Sequence, residues 1–426
     1  MGDAVPDLRD TSSSVAAGIA AAPLIADPQT WINRRVETIE LLSHEETRRK
    51  VSIDFTLSQE QAADLRTPHG VVVPISVLTK EARRNFDLRD EGGRAVPVLG
   101  RWDNGSLAHT ALLASAVDVL PDADDEALGA ISRHLDELVH ATAAAADEVR
   151  EEIVARADDD PLYAALWQDV TCRSLMETLS TNYVLFAVLP EDGARRRVLK
   201  YSYGEYFDAT ERVGRLPFSP GELVDRFLYP DQRPFLIGCP AAGRARSFHV
   251  EVAIPEELRV RTAFLVDRQA PELVSAVDEN VDRASLYADV SVGDRDIHAY
   301  VETVPERVGV TSRAAGIAIV VSGLLWVGVL SGLDARNPAP AVAILLAGAA
   351  LYSGMYASAG EHRLVRSVYR TGRRWLNVVA VAALVGAVAL ALEVPDPDPV
   401  AVWAFAGLLS TAAALRLGWS AVRAPG

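Results

Sequence analysis

The strongest constraint on this chain is a set of four long apolar runs in its last quarter. They cover about residues 314–333, 338–359, 376–392 and 400–415, and none of them contains Asp, Glu, Lys or Arg. A helix of about 17 to 25 apolar residues crosses the hydrocarbon core of a bilayer, so the fourth run is marginal in length. We therefore predict a four-helix transmembrane region over residues 311–420, in a multi-pass protein whose first partner is the lipid bilayer.

The connections between the runs predict an orientation. The connection after the second run holds one acid, Glu361, and five arginines, whereas the connection after the third run, 393–399, holds three acids and no basic residue. Short Arg-rich loops stay on the cytoplasmic side of the membrane. Both termini are then expected in the cytoplasm, with the protein in the cell membrane. The acidic opening MGDAVPDLRD agrees, because a secretory signal begins with basic residues.

The arginine-rich loop has two interpretations. It is a topological signal, or it also binds anionic lipid headgroups, to which each basic residue near the surface contributes about 1 kcal/mol. The residues concerned are Arg363, Arg366, Arg370, Arg373 and Arg374.

Small residues at a spacing of four predict close helix packing in the membrane region. Such spacing lets two helix backbones approach each other. The apolar runs contain no buried ionisable residue of the kind that transporters and pumps use. The packing candidates are Gly328, Gly332, Ala350 and Gly354.

Charge separates the chain into two parts. The net charge is −16, and the stretch from Thr311 onward holds nine arginines and five acids, so residues 1–310 carry −20. Such an acidic body is repelled by nucleic acid, which we exclude as a partner. Lysine occurs only at positions 50, 80 and 200, and this Arg/Ala/Val-rich composition is typical of bacterial membrane proteins.

Hydrophobic patterning predicts an α+β fold: a β-rich, sandwich-like cytoplasmic body with a helical insertion, followed by the transmembrane helices. Strict alternation in Lys50–Leu57 and Ser247–Ile254 indicates half-buried strands, with 35–42 as a hairpin partner of the first. A period of 3.6 indicates one helix from Glu126 to about Ala157. The predicted units are a poorly ordered leader at 1–30, a small β-rich unit at 31–104, a helical insertion at 105–181 and an antiparallel β-rich unit at 182–310.

Motifs for catalysis or for cofactors do not stand out. The segment GCPAAGRA at 238–245 lacks the Lys and Ser or Thr of a phosphate loop and is predicted to be an ordinary turn. His134, Glu137 and His140 do not share one helix face, and the acids at 158–160 are better placed to cap a helix than to bind a cation. Cys172 is predicted to be a buried, reduced residue in a helix.

These observations favour a non-enzymatic binding, sensor or scaffold module that is anchored in the membrane, without a cofactor. A cytoplasmic protein or a second copy of the chain is the expected partner. A channel or membrane-perturbing effector that is gated by the cytoplasmic body is the alternative, and an enzyme with an unrecognised site stays open.

Overall fold

The computed structural model describes residues 11–43, 46–80, 84–206, 234–255, 258–267, 273–277, 283–289, 295–305, 310–330, 347–352, 370–391 and 399–423. It is a mixed α/β protein with apolar helices at its C-terminus. The helices are α1 (Thr11–Ala26), α2 (Gln59–Asp64), α3 (Arg101–Val119), α4 (Asp125–His140), α5 (Ala143–Arg156), α6 (Pro161–Gln168), α7 (Val170–Thr181), α8 (Val310–Leu330), α9 (Arg370–Ala391) and α10 (Pro399–Arg423).

The described strands form three sheets. Their order is β12-β9-β1-β2-β7-β5 in the six-stranded sheet, β11-β10-β13-β8 in the four-stranded sheet and β3-β4-β6 in the three-stranded sheet. The strands are β1 (Ile32–Leu41), β2 (Glu46–Thr56), β3 (Arg66–Thr67), β4 (Gly70–Thr79), β5 (Arg84–Asp90), β6 (Asn182–Leu189), β7 (Arg196–Tyr206), β8 (Pro234–Gly238), β9 (Ser247–Ala253), β10 (Leu258–Asp267), β11 (Leu273–Val277), β12 (Arg283–Asp289) and β13 (Ile297–Pro305).

The predicted hairpin is confirmed, and its strands join distant parts of the chain. β1 and β2 pair antiparallel, with Val36 opposite Ser52. β2 also pairs with β7, and β1 runs parallel to β9, so both predicted β-rich units contribute strands to one sheet. The described pairs inside 182–310 are antiparallel. Between the two units, β1–β9 is parallel, whereas β2–β7, β4–β6 and β5–β7 are antiparallel. The division into units stays a prediction.

The inner face of the six-stranded sheet contributes to two hydrophobic clusters. The first cluster includes Ile53 and Phe55 of β2 and is completed by α1, the helices α3–α7 and the three-stranded sheet. The second cluster joins Ile39 of β1 and the inner residues of β9 and β12 to the four-stranded sheet. The two cores therefore meet along the middle of one sheet face. A sandwich architecture for the whole body stays a prediction.

The N-terminal segment differs from the poorly ordered leader that the sequence predicts. Residues 11–26 form α1, which buries Ala17, Ala21, Leu24 and Ile25 in the first hydrophobic cluster. The Trp31 indole Nε1 donates a hydrogen bond to the Leu24 carbonyl at 2.9 Å. Alanine-rich composition alone does not reveal this burial, because α1 has almost no polar face. Residues 1–10 lie outside the described residues.

The long helix predicted for 126–157 is two helices. α4 ends at His140, Ala141 is extended, and the Thr142 hydroxyl accepts a hydrogen bond from the Ala145 amide to begin α5. This N-cap competes with helix continuation, which the 3.6-residue period could not show. The predicted capping by the acids at 158–160 is confirmed, since Asp160 accepts from the Leu162 amide at 2.9 Å. Cys172 is buried in α7, as predicted.

Three of the four predicted spans are long apolar helices, at Ser312–Leu330, Gly372–Ala389 and Val400–Trp419. Of the second predicted span, 338–359, only the helical residues 347–352 are described. α9 begins six residues before the predicted run, and α10 continues to Arg423, past the predicted end at 415. Arginine is a good helix former whose long side chain reaches the interface, so these helices extend beyond their apolar parts.

Candidate functional site

α10 runs antiparallel to both α8 and α9, so α8 and α9 run in the same direction. Ser322 of α8 and Thr411 of α10 share a hydrogen bond of 2.8 Å, while Gly328 lies against Trp403. On the other side of α10, the Trp403 indole donates to the Gly386 carbonyl at 3.1 Å, and Gly372 faces Leu417. The beginning of α8, the beginning of α9 and the end of α10 therefore lie at one end of the bundle.

That end of the bundle carries the charge. The described membrane helices contain six arginines and no Asp or Glu. We call the end marked by Arg313, Arg373, Arg374 and Arg416 the cationic end. The antiparallel contacts place Arg416 of α10 level with Arg373 of α9. Because β13 ends only five residues before α8 begins, the body joins the bundle at this same end.

The five arginines of the predicted headgroup site are only partly described. Arg370 begins α9, and Arg373 and Arg374 lie in its first turns. Arg363 and Arg366 lie outside the described residues. The structure places Arg313 and Arg416 at the same end of the bundle as the arginines of α9. The sequence analysis considered only the loop between the second and third runs, and this common location depends on how the helices pack.

The predicted packing residues have different surroundings. A Cβ atom built on Gly328 would overlap the Trp403 ring, so glycine permits this contact between α8 and α10. Ala350, in the helical residues 347–352, packs against the apolar cluster that the buried residues of α8, α9 and α10 form. Gly332 and Gly354 lie outside the described residues, so the paired small-residue spacing stays a prediction.

A groove of about 600 Å³ lies between α8 and α10. Its inner end holds a small polar cluster: Thr411 Oγ1 accepts from the Trp326 indole at 2.8 Å and donates to the Gly407 carbonyl at 2.7 Å. The groove leads from there towards the cationic end. We call it the bundle groove, and it is lined by Ile319, Ser322, Gly323, Trp326, Thr411, Ala414, Leu415, Gly418 and Trp419.

A second polar arrangement is buried in the body, where the two hydrophobic clusters meet. Glu37 of β1 accepts from Arg35 Nε at 2.6 Å and from Arg49 Nη1 at 2.5 Å. Arg49 also donates to Glu205 at 2.7 Å. We call Arg35, Glu37, Arg49 and Glu205 the buried ion network. Its two positive and two negative charges balance inside the protein.

The buried ion network connects all three sheets. Arg35 Nη2 donates to the Tyr201 hydroxyl at 2.8 Å, and that hydroxyl shares a 2.7 Å hydrogen bond with Ser76 of the three-stranded sheet. Arg49 Nη2 donates to the Gly238 carbonyl of the four-stranded sheet at 2.9 Å. The network thus fixes how both smaller sheets meet the six-stranded sheet. Sequence patterning does not reveal this network, because charged residues at alternating positions of a strand are typical of a solvent-exposed face.

The electrostatics of the network fit a structural role. Burial by itself would raise the pKa of Glu37, but Arg35 and Arg49 hold that pKa below its ordinary value. Burial also raises the pKa of Tyr203 above its ordinary value, and that of Cys239 to about 12. The adjoining cavity, lined in part by Arg35, Ser76 and Arg244, has only about 30 Å³. That volume holds water but no organic substrate.

The outer face of the six-stranded sheet is polar. We call the outward residues of β1, β2, β5 and β7 the open sheet face. A shallow concavity of about 270 Å³ lies on it, where Ser52 is opposite Lys200, and Lys200 is opposite Arg89. Lys50 and Lys200, two of the three lysines in the chain, both line the concavity.

The histidines and acids weighed as metal ligands have other partners. His134 Nδ1 lies 2.7 Å from the Tyr163 hydroxyl, and His140 packs beside Trp102. His298 is buried, and its Nε2 lies 2.9 Å from Asp296 Oδ1. Within the described ranges, no group of three His, Cys, Asp or Glu side chains is arranged to hold a metal ion.

The predicted turn at 238–245 is confirmed, with the Ala242 amide donating to the Cys239 carbonyl.

No protein-family model matches this sequence, and no curated protein is significantly similar to it.

Proposed function

We propose that this protein is a membrane-anchored, non-enzymatic binding or scaffold module whose body lies in the cytoplasm. The observation that carries the proposal is the one-sided charge of the bundle: its arginines lie at the end where the body joins it. Basic residues next to membrane helices are retained on the cytoplasmic side. The body, the cationic end and the C-terminus are then all cytoplasmic, and a second span within 338–359 keeps this orientation consistent.

Topology is tested with reporter fusions at Gly426 and at Pro397. We expect a cytoplasmic signal from the first fusion and an external signal from the second. Replacing Arg363, Arg366, Arg370, Arg373 and Arg374 together with Gln should weaken this preference, and replacing them with Lys should restore it, because retention depends on charge. An external signal from the Gly426 fusion would contradict the proposed orientation.

The open sheet face is the proposed binding surface, and its partner is an acidic segment of a cytoplasmic protein. The body carries a net charge of −20. On this face, however, the strand registers place six cations, Arg34, Arg48, Lys50, Arg89, Arg196 and Lys200, against four acids, Glu40, Glu46, Asp54 and Asp87. Lys50, Arg89 and Arg196 pair with Glu40, Asp87 and Asp54. In the part of the chain that the structure describes, no acid forms an ion pair with Arg48 or Lys200, and the charge of Arg34 acts on Asp54, which Arg196 already pairs. A carboxylate-bearing segment would complete these pairs.

The binding surface is tested by placing a photo-crosslinking residue at Ser52, inside the concavity, in living cells. A control crosslinker at the exposed Glu148 of α5 should not give the same product. The charge reversals Arg48→Glu and Lys200→Glu should together lower the yield at least fivefold, whereas Arg133→Glu on α4 should leave it unchanged. An unchanged crosslinking yield after the charge reversals at Arg48 and Lys200 would contradict the proposal. A crosslinked dimer would favour self-association.

A channel is the second candidate, favoured by one observation. Ser322, Thr411 and the Trp326 indole form a hydrogen-bonded polar cluster inside otherwise apolar helices. Purified protein in a planar bilayer separates the two functions. Unitary conductance that is altered by Thr411→Val would favour the channel, and a silent bilayer with full insertion would favour the anchor.

A further inference from the structure

We propose that the concavity on the open sheet face binds a phosphorylated serine or threonine side chain of the partner protein. This inference rests on the proposed function, because it takes the acidic partner segment to dock on this face. It goes further by assigning a phosphoryl group to the centre of the concavity. That group would lie between Lys50, Ser52, Lys200 and Ser202.

Two Lys-x-Ser segments face each other across neighbouring strands. One is 50–52 in β2, and the other is 200–202 in β7. The strands are antiparallel, with Lys50 opposite Ser202 and Ser52 opposite Lys200. All four side chains belong to residues that line the concavity. They therefore form a square in which lysine and serine alternate, and we call it the Lys-Ser square.

The Lys-Ser square has the dimensions of a phosphoryl group and its hydrogen bonds. Directly opposed residues of an antiparallel pair lie about 4.5–5.5 Å apart, and diagonal neighbours lie about 7–8 Å apart. A group at the centre is therefore close to all four side chains. The short serine side chains meet it from the floor, and the long lysine side chains meet it from the rim. A phosphorylated side chain offers three acceptor oxygens to such donors, whereas a carboxylate offers two.

The donors of the Lys-Ser square are available for a ligand. Ser52 and Ser202 are half-buried, and Lys200 is exposed. Among the described residues, the side chains of these three make no hydrogen bond or ion pair. Lys50 contacts Glu40, but an ammonium group has three N–H donors, so this contact leaves two of them. A ligand with several acceptor oxygens would satisfy them together.

The charges around the square favour recognition by direct hydrogen bonds. Arg89 also lines the concavity, and its Nε donates to Asp87 at 2.7 Å. Lys50 is likewise offset by Glu40, so Lys200 is the lining cation without an acidic partner in the described part of the chain. General attraction for anions is therefore modest. A phosphorylated side chain carries about −1.5 to −2 charges and forms strong charge-assisted hydrogen bonds, which suits this arrangement.

The surroundings favour a protein segment over a membrane lipid headgroup. Four acids lie on the open sheet face, and the body carries a net charge of −20. An anionic bilayer surface would be repelled by this body. A phosphorylated segment presents its charge at one point, where the lysines and hydroxyls converge, so it avoids most of this repulsion.

The test uses the full chain in nanodiscs of phosphatidylcholine, a lipid without net charge. The probes are two fluorescent heptapeptide libraries with phosphoserine or aspartate at the centre and mixtures of Asp, Glu, Ala and Ser at the flanking positions. Fluorescence polarisation measures the Kd of each library. We expect the phosphoserine library to bind at least tenfold more tightly than the aspartate library.

Ser52→Ala with Ser202→Ala removes both hydroxyls and keeps every charge. This variant should weaken binding of the phosphoserine library at least fivefold. Binding of the aspartate library should change less than twofold, because the lysines that attract its carboxylate are unchanged. Ser285→Ala on β12 is the matched control, since Ser285 is an exposed serine of the same sheet outside the concavity.

The same recognition is tested in cells with a photo-crosslinking residue at Val36, which lines the concavity but lies outside the Lys-Ser square. Membranes are treated with a broad-specificity phosphatase before irradiation, and heat-inactivated phosphatase is the control. The active enzyme should lower the yield of the crosslinked product at least fivefold. A yield that the phosphatase leaves unchanged, but that the charge reversals at Arg48 and Lys200 still abolish, would overturn the phosphoryl assignment alone.

The peptide measurements also separate this inference from the proposed function. Equal affinity of the wild type for the two libraries would overturn the phosphoryl assignment and leave an acidic partner segment in place. Unchanged phosphoserine binding in the double alanine variant would overturn the assignment to the Lys-Ser square. Binding of neither library would overturn both proposals.

Discussion

Glu37 and Arg49 lie 2.5 Å apart on neighbouring strands, and both side chains are buried where the two hydrophobic cores meet. Removing one partner of a buried ion pair leaves an uncompensated charge, which costs about 3–5 kcal/mol. We expect Glu37→Gln to lower the free energy of unfolding by that amount, measured by urea denaturation of the detergent-solubilised protein.

The matched control for this substitution is Glu40→Gln on the same strand. Glu40 pairs with Lys50 at the surface, where an ion pair contributes less than about 1 kcal/mol. Equal losses in the two variants would contradict the structural role of the buried ion network.

The loss caused by Glu37→Gln should depend on pH. Because Arg35 and Arg49 hold the pKa of Glu37 below its ordinary value of 4.5, the ionised carboxylate stabilises the folded state. The contribution is complete above the unfolded-state pKa and is lost as pH falls through the lower folded-state pKa. The difference between wild type and Glu37→Gln is therefore expected to be constant from pH 7 to 5 and to shrink below pH 4.5. A difference that grows on acidification would refute this assignment.

An isolated body should fold without the membrane helices, but its stability should depend on α1. Residues 11–305 keep Leu24 and Ile25 in the core, and a fragment of 31–305 loses both. Burial of such a side chain contributes about 1.5–3 kcal/mol, so the shorter fragment should be less stable by at least about 3 kcal/mol. Circular dichroism during urea unfolding measures the free energy of unfolding of each of the two fragments. Equal stability would show that α1 contributes nothing to the core.

Gly328→Ala should destabilise the bundle because the added methyl group meets the Trp403 ring. Overpacking of this kind costs about 1–3 kcal/mol. Thermal unfolding in detergent measures it, with Gly316→Ala as the control at an open position. Adding Trp403→Leu to Gly328→Ala should recover part of the loss. Additive effects of the two substitutions would show that the residues do not interact.

Local sequence patterns were sufficient to predict elements in which apolar residues recur regularly or without interruption. The alternation of Val51, Ile53 and Phe55 predicted β2, and the charge-free runs predicted the three long apolar helices. The helix cap at Asp160 was predictable because this acidic residue directly precedes a proline at the first position of α6. These features depend on residues that are close together in the sequence, so a local pattern is enough to predict them.

Features that depend on distant contacts were missed. Arg35, Glu37 and Arg49 look like exposed positions in their strands, and only pairing with β7 and packing against two further sheets buries them. The cationic end is similar: Arg313 and Arg416 are about a hundred residues apart, and the antiparallel packing of α8 on α10 brings their ends together. Single-sequence periodicity carries no information about such partners.

Lys80 should react with amine reagents at unusually low pH. Its Nζ donates to the Leu138 carbonyl at 2.7 Å near the end of α4, where Arg101 also donates to the His140 carbonyl. Burial, assisted by the nearby Arg101 charge, lowers the pKa of Lys80 to about 8. Only the neutral amine is nucleophilic, so its rate of acetylation should reach half of its plateau near pH 8. The chain has only three lysines, which makes peptide mapping by mass spectrometry unambiguous. Arg101→Gln should move the midpoint upward, because it removes the repelling charge. A wild-type midpoint at pH 10 would show that Lys80 is solvated and that the capping contact does not form.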